Sequence, residues 1–270
     1  MDYKLKGKIA VVTGGGGAIC GEIAKALAAE GTHVAIWDLN KRAAELRAEE
    51  VIAAGGNALG VECDVTSPGS VEDALRMTVD RYATVDMLVN GAGGSLKATT
   101  TSEEKPFFDL RAEDMVSAFG LNYLSEVIPS QAVGRIFAKN KSGVILNITS
   151  IAGILPLTRA ISYSDAKAAG NSFTKWLAVH MAQNYSKKIR VNAIAPGFIL
   201  TQQNRFLLID EATGEMTERG QQIVKTVPMA RYGLPEEIVG AALWLLSDQS
   251  QFVTGAVIPV DGGFSAYSGV

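Results

Sequence analysis

Cysteine and histidine are scarce in this chain, with two of each among 270 residues. The cysteines, Cys20 and Cys63, are too few for a disulfide framework, which indicates a reducing compartment. The histidines, His33 and His180, fall in a strand-like and a helix-like segment, and no Cys, His or acidic spacing is typical of a metal site. We therefore expect no metal, and structural roles for both histidines.

Long apolar runs and a strong charge of one sign are also missing. No run approaches the ~18 apolar residues needed to cross a bilayer, and the charged residues 1–4 lack the apolar stretch of a signal peptide. The formal net charge is −3, which attracts neither nucleic acid nor an anionic membrane. We expect a cytoplasmic protein without nucleic-acid or membrane partners.

Hydrophobic residues, in contrast, make up 47% of the chain and form alternating strand and helix patterns. Apolar runs typical of strands buried between helical layers begin at Ile9, His33, Met87, Val144, Val191 and Ala256, with a weaker one at 58–63. Helical patterns cover 21–29, 41–54, 71–81, 112–139, 162–183 and 235–246. This alternation, without linker or repeat, predicts one α/β domain over 1–270. We expect a single-domain Rossmann fold, with a doubly wound, parallel, seven-stranded sheet and helices on both faces.

The first predicted strand ends in a glycine-rich turn, residues 13–19. Such a turn before a helix lets backbone N–H groups approach a pyrophosphate, although glycine runs also occur in plain flexible turns. The second strand ends at Asp38, an acid placed to accept hydrogen bonds from adenosine ribose and to repel a 2′-phosphate. Asp38 therefore favours NAD(H) over NADP(H). Lys41 and Arg42 could hold a phosphate, but we interpret them as solvated helix residues.

Several short motifs, in their order and spacing, resemble the short-chain dehydrogenase/reductase family over residues 4–263. They are Thr13-Gly14 with the following glycines, Asp64-Val65, Asn90-Gly91-Ala92-Gly93, Ser150, Tyr163-Ser164-Asp165-Ala166-Lys167 and Pro196-Gly197. The resemblance implies the same Rossmann fold and an enzyme that oxidises alcohols or reduces ketones with a nicotinamide cofactor.

The resemblance also implies which residues hold NAD(H). Asp64 and Val65 would contact the adenine, and the segment from Asn90 would line the dinucleotide. The residues from Pro196 to Thr201 would meet the nicotinamide. The full implied set is Gly14, Gly17, Ala18, Ile19, Asp38, Asp64, Val65, Asn90, Ala92, Tyr163, Lys167, Pro196, Gly197, Ile199 and Thr201.

Three residues depart from the family pattern. Glycine is usual where this chain has Ala18 and Cys20, and the usual Asn-Asn-Ala-Gly has Gly91 at its second position. Ala18 adds a methyl group near the phosphates, and Cys20 adds bulk where the helix meets the strand. The additional glycines at 15–17 leave room for the loop to compensate.

Tyr163 and Lys167 are four residues apart, so a helix places both on one face. A phenol ordinarily has a pKa of about 10, and a neighbouring ammonium favours its phenolate form. Tyr163 is therefore expected to take the alcohol proton in oxidation and to return it in reduction. Ser150 is expected to hydrogen-bond the substrate oxygen, or only to cap the next turn. The resemblance makes Asn122 the fourth catalytic residue, holding a water near Lys167; otherwise it marks a helix kink.

Two stretches with little strand pattern, 94–110 and 201–226, follow strand ends, where doubly wound sheets bind ligands. The second begins with polar residues and Arg205, whose guanidinium suits a carboxylate, although Arg205 could equally be a solvated residue. With the C-terminal segment 259–270, these stretches resemble the D-mannonate oxidoreductase (D-fructuronate reductase) branch of the family. That resemblance implies a small sugar-acid substrate, contacted by Ser150, Tyr163 and Arg205.

Other assignments stay open at the level of sequence. Another specificity within the family is one alternative, such as gluconate 5-dehydrogenase or 3-oxoacyl carrier-protein reductase; Asp38 and the acidic net charge argue against the latter. A non-catalytic dinucleotide-binding sensor is a second, opposed by the intact Ser150, Tyr163 and Lys167. The helical patterns at 112–139 and 162–183, with the last strand, resemble the family's tetramer interfaces, which implies a homotetramer.

Overall fold

A computed structural model describes residues 3–201, 205, 208–210 and 213–269. Its seven strands form one sheet in the order β3-β2-β1-β4-β5-β6-β7, and all neighbouring strands are parallel. The strands are β1 (Ile9–Thr13), β2 (His33–Asp38), β3 (Asn57–Glu62), β4 (Met87–Asn90), β5 (Gly143–Ile148), β6 (Ile189–Pro196) and β7 (Val257–Val260). The predicted doubly wound Rossmann fold is confirmed. Its strand order reverses between β1 and β4, so a ligand crevice is expected at that edge.

Helices lie between the strands, as the sequence patterns predict. They are α1 (Ala18–Ala29), α2 (Lys41–Ala53), α3 (Pro68–Tyr82), α4 (Ala112–Asn140), α5 (Ile161–Asn184), α6 (Glu218–Thr226) and α7 (Glu236–Leu246). Three features differ from the predicted patterns: α1 and α3 each begin three residues earlier, and α6 lies within the stretch 201–226. None of the helices described here is long and apolar enough to cross a bilayer.

Alternate residues of the central strands pack into two separate cores, one on each face of the sheet. In β1, Val12 packs in a cluster that includes Leu27 of α1 and Leu246 of α7. Val11 packs on the opposite face in a cluster with Phe137 of α4 and Leu177 of α5. Because both faces are covered, these strands carry apolar residues at most positions.

Candidate active site

The glycine-rich turn after β1 brings the start of α1 to the carboxyl edge of the sheet. Gly14 has a φ of +62°, and a Cβ there would lie 2.9 Å from the Cα of Ala92, so conformation and space both require glycine. The Gly17 N–H donates to Gly14 O at 3.0 Å. Helix α1 then begins at Ala18 without a side-chain cap at Gly17. Its first N–H groups, including that of Ile19, are therefore available to an anion.

Asp38 ends β2 directly beside this turn. Its Oδ2 accepts a hydrogen bond from Gly16 N at 3.0 Å, and its Oδ1 accepts one from Asn40 N at 2.9 Å. Two backbone donors thus fix the carboxylate next to the phosphate loop, where a ribose would be recognised. Arg42 forms an exposed ion pair with Glu49 at 3.0 Å, in keeping with its interpretation as a solvated helix residue.

The unusual residues Cys20 and Gly91 compensate for each other. Cys20 is buried, and a Cβ on residue 91 would collide with its Sγ. The sulfur therefore fills space that the more usual asparagine side chain would need. Burial raises the pKa of the Cys20 thiol to about 12, so the residue packs as an apolar group. Ala18 is half-buried as the first residue of α1.

Asp64 and Val65 follow β3, beyond Asp38. The Asp64 Oδ1 accepts hydrogen bonds from Thr66 N at 2.9 Å and from Thr66 Oγ1 at 2.6 Å, and Ser70 Oγ accepts one from Asp64 N. Val65 is buried. Hydrogen bonds within the turn hold its conformation. The contacts of Asp64 and Val65 with the adenine stay a prediction.

Asn90, at the end of β4, directs its amide into the protein interior. Its Nδ2 donates to Ser130 Oγ and to Asn147 Oδ1, each at 2.9 Å. The side chain therefore ties β4 to β5 and α4. Of the residues predicted to line the dinucleotide here, Ala92 is half-buried at the sheet edge, where its N–H donates to Thr13 Oγ1 at 3.3 Å.

The segment after β6 is held by its backbone. Gly197 N donates to Val260 O at 2.9 Å, and a Cβ on Gly197 would lie 2.6 Å from the Asp261 Cα. Ile199 pairs with Gly233 in an isolated parallel bridge. The run from Pro196 therefore follows a fixed path to Thr201, at the edge where the nicotinamide contacts are predicted.

Helix α5 places Tyr163 and Lys167 one turn apart, as their spacing predicts. Tyr163 is half-buried and Lys167 is buried. The Lys167 Nζ donates to Ile148 O at 2.9 Å and to Glu126 Oε1 at 3.2 Å. Burial acts to lower the pKa of Lys167, but the negative charge of Glu126 and a smaller contribution from Tyr163 raise it above its ordinary value. The side chain is therefore held as an ammonium ion.

Ser150 follows β5, two residues after the carbonyl that binds Lys167. Its Oγ accepts a hydrogen bond from Ala152 N at 3.1 Å and so caps the short 3-10 helix Ile151–Gly153. The capping role considered from the sequence is thus present. A hydroxyl that accepts a hydrogen bond keeps its proton to donate, so the cap is compatible with a contact to a substrate oxygen.

Asn122 lies within α4, which continues through this position, so the residue does not interrupt the helix. Its Oδ1 accepts from Gly94 N, and its Nδ2 donates to Gly94 O and Ala118 O, each at 2.9 Å. The side chain thus fixes the segment that follows β4. A water held near Lys167 stays a prediction.

The predicted substrate stretches partly lie within the described residues. Thr101 N donates to Arg159 O at 3.0 Å, which joins the segment after β4 to the segment after β5. Arg205 N donates to Thr201 O at 3.0 Å, and the Arg205 side chain is exposed. The polar residues 202–204 and the neighbouring 206–207 lie outside the described residues.

Comparison with known proteins identifies the family. Residues 16–265 match the family model described as enoyl-(acyl carrier protein) reductase. The chain is 41% identical to the uncharacterized oxidoreductase UxuB of Bacillus subtilis, over 100% of this chain and 99% of that protein. The chain belongs to the short-chain dehydrogenase/reductase family. It is accordingly an NAD-dependent oxidoreductase that acts on alcohols or ketones.

Two further relatives of this dehydrogenase/reductase carry more specific names. A crystal structure of a Haemophilus influenza protein with bound NAD, provisionally named a D-mannonate oxidoreductase, has a TM-score of 0.92 and 39% identity and covers 98% of both chains. A 3-oxoacyl-[acyl-carrier-protein] reductase of Synechocystis is 34% identical over 96% of this chain and 97% of its own.

Glu126 is the site residue that the sequence reasoning missed. Buried and in contact with Lys167, it comes one helical turn after Asn122. An acid within the mostly apolar stretch 123–128, four residues from a candidate catalytic residue, was an available signal, because residues four apart share a helix face.

Proposed function

We propose that this dehydrogenase/reductase interconverts the secondary alcohol and the ketone of a sugar acid, with D-mannonate and D-fructuronate as the expected pair. The observation that carries the substrate class is a set of three exposed cations, Lys97, Arg159 and Arg205, on the segments that follow β4, β5 and β6. A carboxylate needs such a partner because burying it unpaired is costly. Similarity to the Haemophilus influenza structure supports mannonate as the first substrate to test.

The cofactor proposed for this site is NAD(H), and the chain offers a binding group for each of its parts. The uncapped start of α1 at Gly17 and Ala18 would hold the pyrophosphate. Asp38 would accept the adenosine ribose hydroxyls, with Asp64 and Val65 near the adenine. The other predicted contacts follow the remaining strand ends. When bound, the nicotinamide accepts or supplies the hydride.

Tyr163 is the proposed acid and base of the reaction. In oxidation, its phenolate takes the proton from the substrate hydroxyl oxygen as hydride leaves the carbon that bears this oxygen; in reduction, the phenol returns a proton to the oxygen. Ser150 donates to the substrate oxygen and holds it against Tyr163. The Lys167 ammonium favours the phenolate by its charge. Asn122 fixes Gly94 and is proposed to hold a water near Lys167.

A substrate panel tests this function. Purified protein is assayed with NAD+ and D-mannonate, D-gluconate or neutral polyols, and with NADH and D-fructuronate or 5-ketogluconate, by the absorbance of the reduced nicotinamide. The highest kcat/KM is expected for the mannonate–fructuronate pair. A neutral polyol as the best substrate would contradict the sugar-acid class, and gluconate as the best would replace the named pair.

Arg205 is the proposed carboxylate partner. Arg205→Met is expected to raise KM for fructuronate and mannonate by roughly ten- to a hundredfold, the effect of a charged hydrogen bond. Neutral polyols should be affected much less. Arg219→Met, an exposed arginine on α6, is the matched control. Equal losses for charged and neutral substrates would show that Arg205 only shapes the segment, and Lys97→Met and Arg159→Met are then the next variants.

A second candidate is reduction of a 3-oxoacyl thioester, favoured by the Synechocystis relative. Asp38 opposes it, because an enzyme of this kind is NADP(H)-linked and the carboxylate would repel the 2′-phosphate. The net charge of −3 also opposes it, because an acidic protein partner needs a basic surface. An acetoacetyl thioester with NADPH tests it directly. A higher kcat/KM for this pair than for fructuronate with NADH would make it the better assignment.

A further inference from the structure

Glu126 is a buried carboxylate that the proposed mechanism does not use. It faces Lys167 across the contact between α4 and α5, with its Oε1 3.2 Å from Lys167 Nζ. Glu126 is 1% exposed and Lys167 is 4% exposed. The second oxygen, Oε2, has no hydrogen-bond partner among the described residues. A carboxylate in such a place is costly unless a charge compensates it, so the pair has to be considered as one unit.

Helix α5 leaves room for this carboxylate at Gly170. A Cβ on Gly170 would lie 2.5 Å from Glu126 Oε2 and 3.0 Å from Oε1. The absence of a side chain at this one position lets α4 bring an acid against the lysine. The contact is therefore supported from both helices.

The geometry also fixes the direction of the Lys167 donors. An ammonium has three N–H groups. One points to Glu126 Oε1 and a second to Ile148 O at 2.9 Å. The third is left for a ligand at the carboxyl edge of the sheet.

We propose that Glu126 is a positioning residue of the oxidoreductase site, which holds Lys167 charged and directs its third N–H group toward the dinucleotide. The direction toward the dinucleotide rests on the proposed function. The effect on the charge of Lys167 rests only on the contact between the two side chains. The two parts are therefore tested separately.

Three charged or titratable side chains face Lys167, each from a different element: Glu126 from α4, Tyr163 from α5 and Cys20 from α1. Burial acts to lower the pKa of Lys167, and Glu126 is the largest of the effects that raise it. Without the Glu126 charge, burial prevails, and Lys167 loses its proton at a lower pH. Burial likewise raises the pKa of Glu126 itself.

The first experiment uses the protein without cofactor. The Tm values of the unmodified protein and of Glu126→Gln are compared from about pH 6 to about pH 10, which approaches the ordinary lysine pKa. At the low end, the variant buries an ammonium without a counter-charge and is expected to have the lower Tm. As the pH rises, Lys167 of the folded variant loses its proton before that of the unfolded chain, so the variant gains stability. In the unmodified protein, the raised pKa of Lys167 stabilises the fold fully at pH values below the lysine pKa of the unfolded chain. This stabilisation is lost as the pH rises through the Lys167 pKa of the folded protein. The two Tm values should therefore converge.

Glu72→Gln is the matched control, because Glu72 forms an exposed ion pair with Arg135 of α4. Its Tm should differ from that of the unmodified protein by only a small amount, and this amount should not change with pH. A Glu126→Gln difference that is equally constant with pH would overturn the proposal, since a packing role alone gives that result.

A second variant covers the case in which Glu126→Gln does not fold. The double variant Glu126→Gln with Lys167→Met removes both charges. It is expected to fold, and its Tm is expected to differ from that of the unmodified protein by an amount that does not vary with pH. Failure of this double variant to recover the stability lost in Glu126→Gln would contradict the proposal.

Binding of NADH, followed by its fluorescence, tests the third N–H group. The NADH affinity of Glu126→Gln is expected to begin to fall at a lower pH than that of the unmodified protein. At a pH above both Lys167 pKa values, the two affinities should differ by about tenfold for each unit by which the pKa is lower in the variant. An unchanged pH profile of affinity would overturn this part. If the substrate panel fails while these profiles shift as expected, the proposed function is wrong and the role of Glu126 stands.

Discussion

The proton chemistry proposed for this site depends on one hydroxyl group, that of Tyr163 in the first turn of α5. Tyr163→Phe removes only that group. Turnover is expected to fall by about 10²- to 10⁴-fold, the usual contribution of a general acid or base, while NADH affinity changes little. Steady-state kinetics and a fluorescence titration measure the two effects. Turnover within about tenfold of the unmodified enzyme would show that another group moves the proton.

Asp38 is the residue expected to decide between the two nicotinamide dinucleotides. Asp38→Ala is predicted to narrow the preference for NADH over NADPH by roughly ten- to a hundredfold, because it removes a charge that would repel a 2′-phosphate. The ratio of kcat/KM for the two cofactors is the measurement. Asp73→Ala, an exposed acid on α3, should leave that ratio unchanged. A preference for NADPH in the unmodified enzyme would mean that Lys41 or Arg42 dominates.

Single functional residues could be predicted from the sequence only where their chemistry depends on spacing along the chain. Tyr163 and Lys167 are four apart on one helix, so their shared face follows from the sequence. Glu126 contacts Lys167 from forty-one positions away, and that contact exists only after α4 and α5 pack. The inward direction of the Asn90 amide was hidden for the same reason, because Ser130 and Asn147 belong to other elements.

Helices and strands were predictable from the sequence where the period of the apolar residues matches the burial of the element in the fold. All seven strands were found, the central ones because both faces of the sheet are covered there, whereas the edge strand β3 gave only a weaker run. Helix α1 was placed too late because its start, at Ala18, continues a run of glycines. Helix α6 is short, mostly exposed and poor in apolar residues, so it lacks the apolar content by which the other helices were recognised. Its start does carry a signal: Thr217 Oγ1 accepts a hydrogen bond from Gly220 N at 3.0 Å, and Glu218 lies in the first turn.

The contact between α4 and α5 makes an unusual prediction for Gly170. Alanine in place of glycine ordinarily stabilises a helix interior by about 0.5–1 kcal/mol. At position 170 the new Cβ would press on Glu126, and overpacking costs about 1–3 kcal/mol. Gly170→Ala is therefore expected to lower the free energy of unfolding, measured with urea.

Two comparisons make this prediction specific. Gly240→Ala in α7, where a Cβ would meet nothing within 4 Å, should be stabilising. In a Glu126→Ala background, Gly170→Ala should also become stabilising, because the obstructing carboxylate is gone. The same destabilisation in both backgrounds would show that Glu126 is not what position 170 accommodates.

At the scale of the whole molecule, α4 and α5 carry apolar side chains that the isolated chain leaves exposed. They are Val116, Phe119, Trp176 and Val179. Beside them lies a groove of about 850 Å³ lined mostly by residues of the same two helices, including Tyr123 and Phe173. We propose a second copy of the chain as the occupant, in keeping with the expected homotetramer, since one helix pair can pack against its own symmetry mate.

Light scattering after size exclusion measures that assembly. The unmodified protein is expected at four times the chain mass of 28.5 kDa, and Trp176→Glu is expected at a smaller mass because it places a charge in the shared apolar face. Ile52→Glu, an exposed apolar residue on α2, is the control and should keep the full mass. A monomer for the unmodified protein would contradict the assembly.

The fit between Cys20 and Gly91 has a consequence for how such a chain evolves. Asparagine at position 91 requires the buried sulfur to move, because its Cβ would collide with the Sγ where it now lies. Loss of the sulfur first, by Cys20→Gly, meets no such obstacle. Exchange of one pair of residues for the other therefore avoids the collision by passing through glycine at both positions. The two substitutions are therefore expected to have a preferred order, because the route through cysteine with asparagine loses packing at its first step.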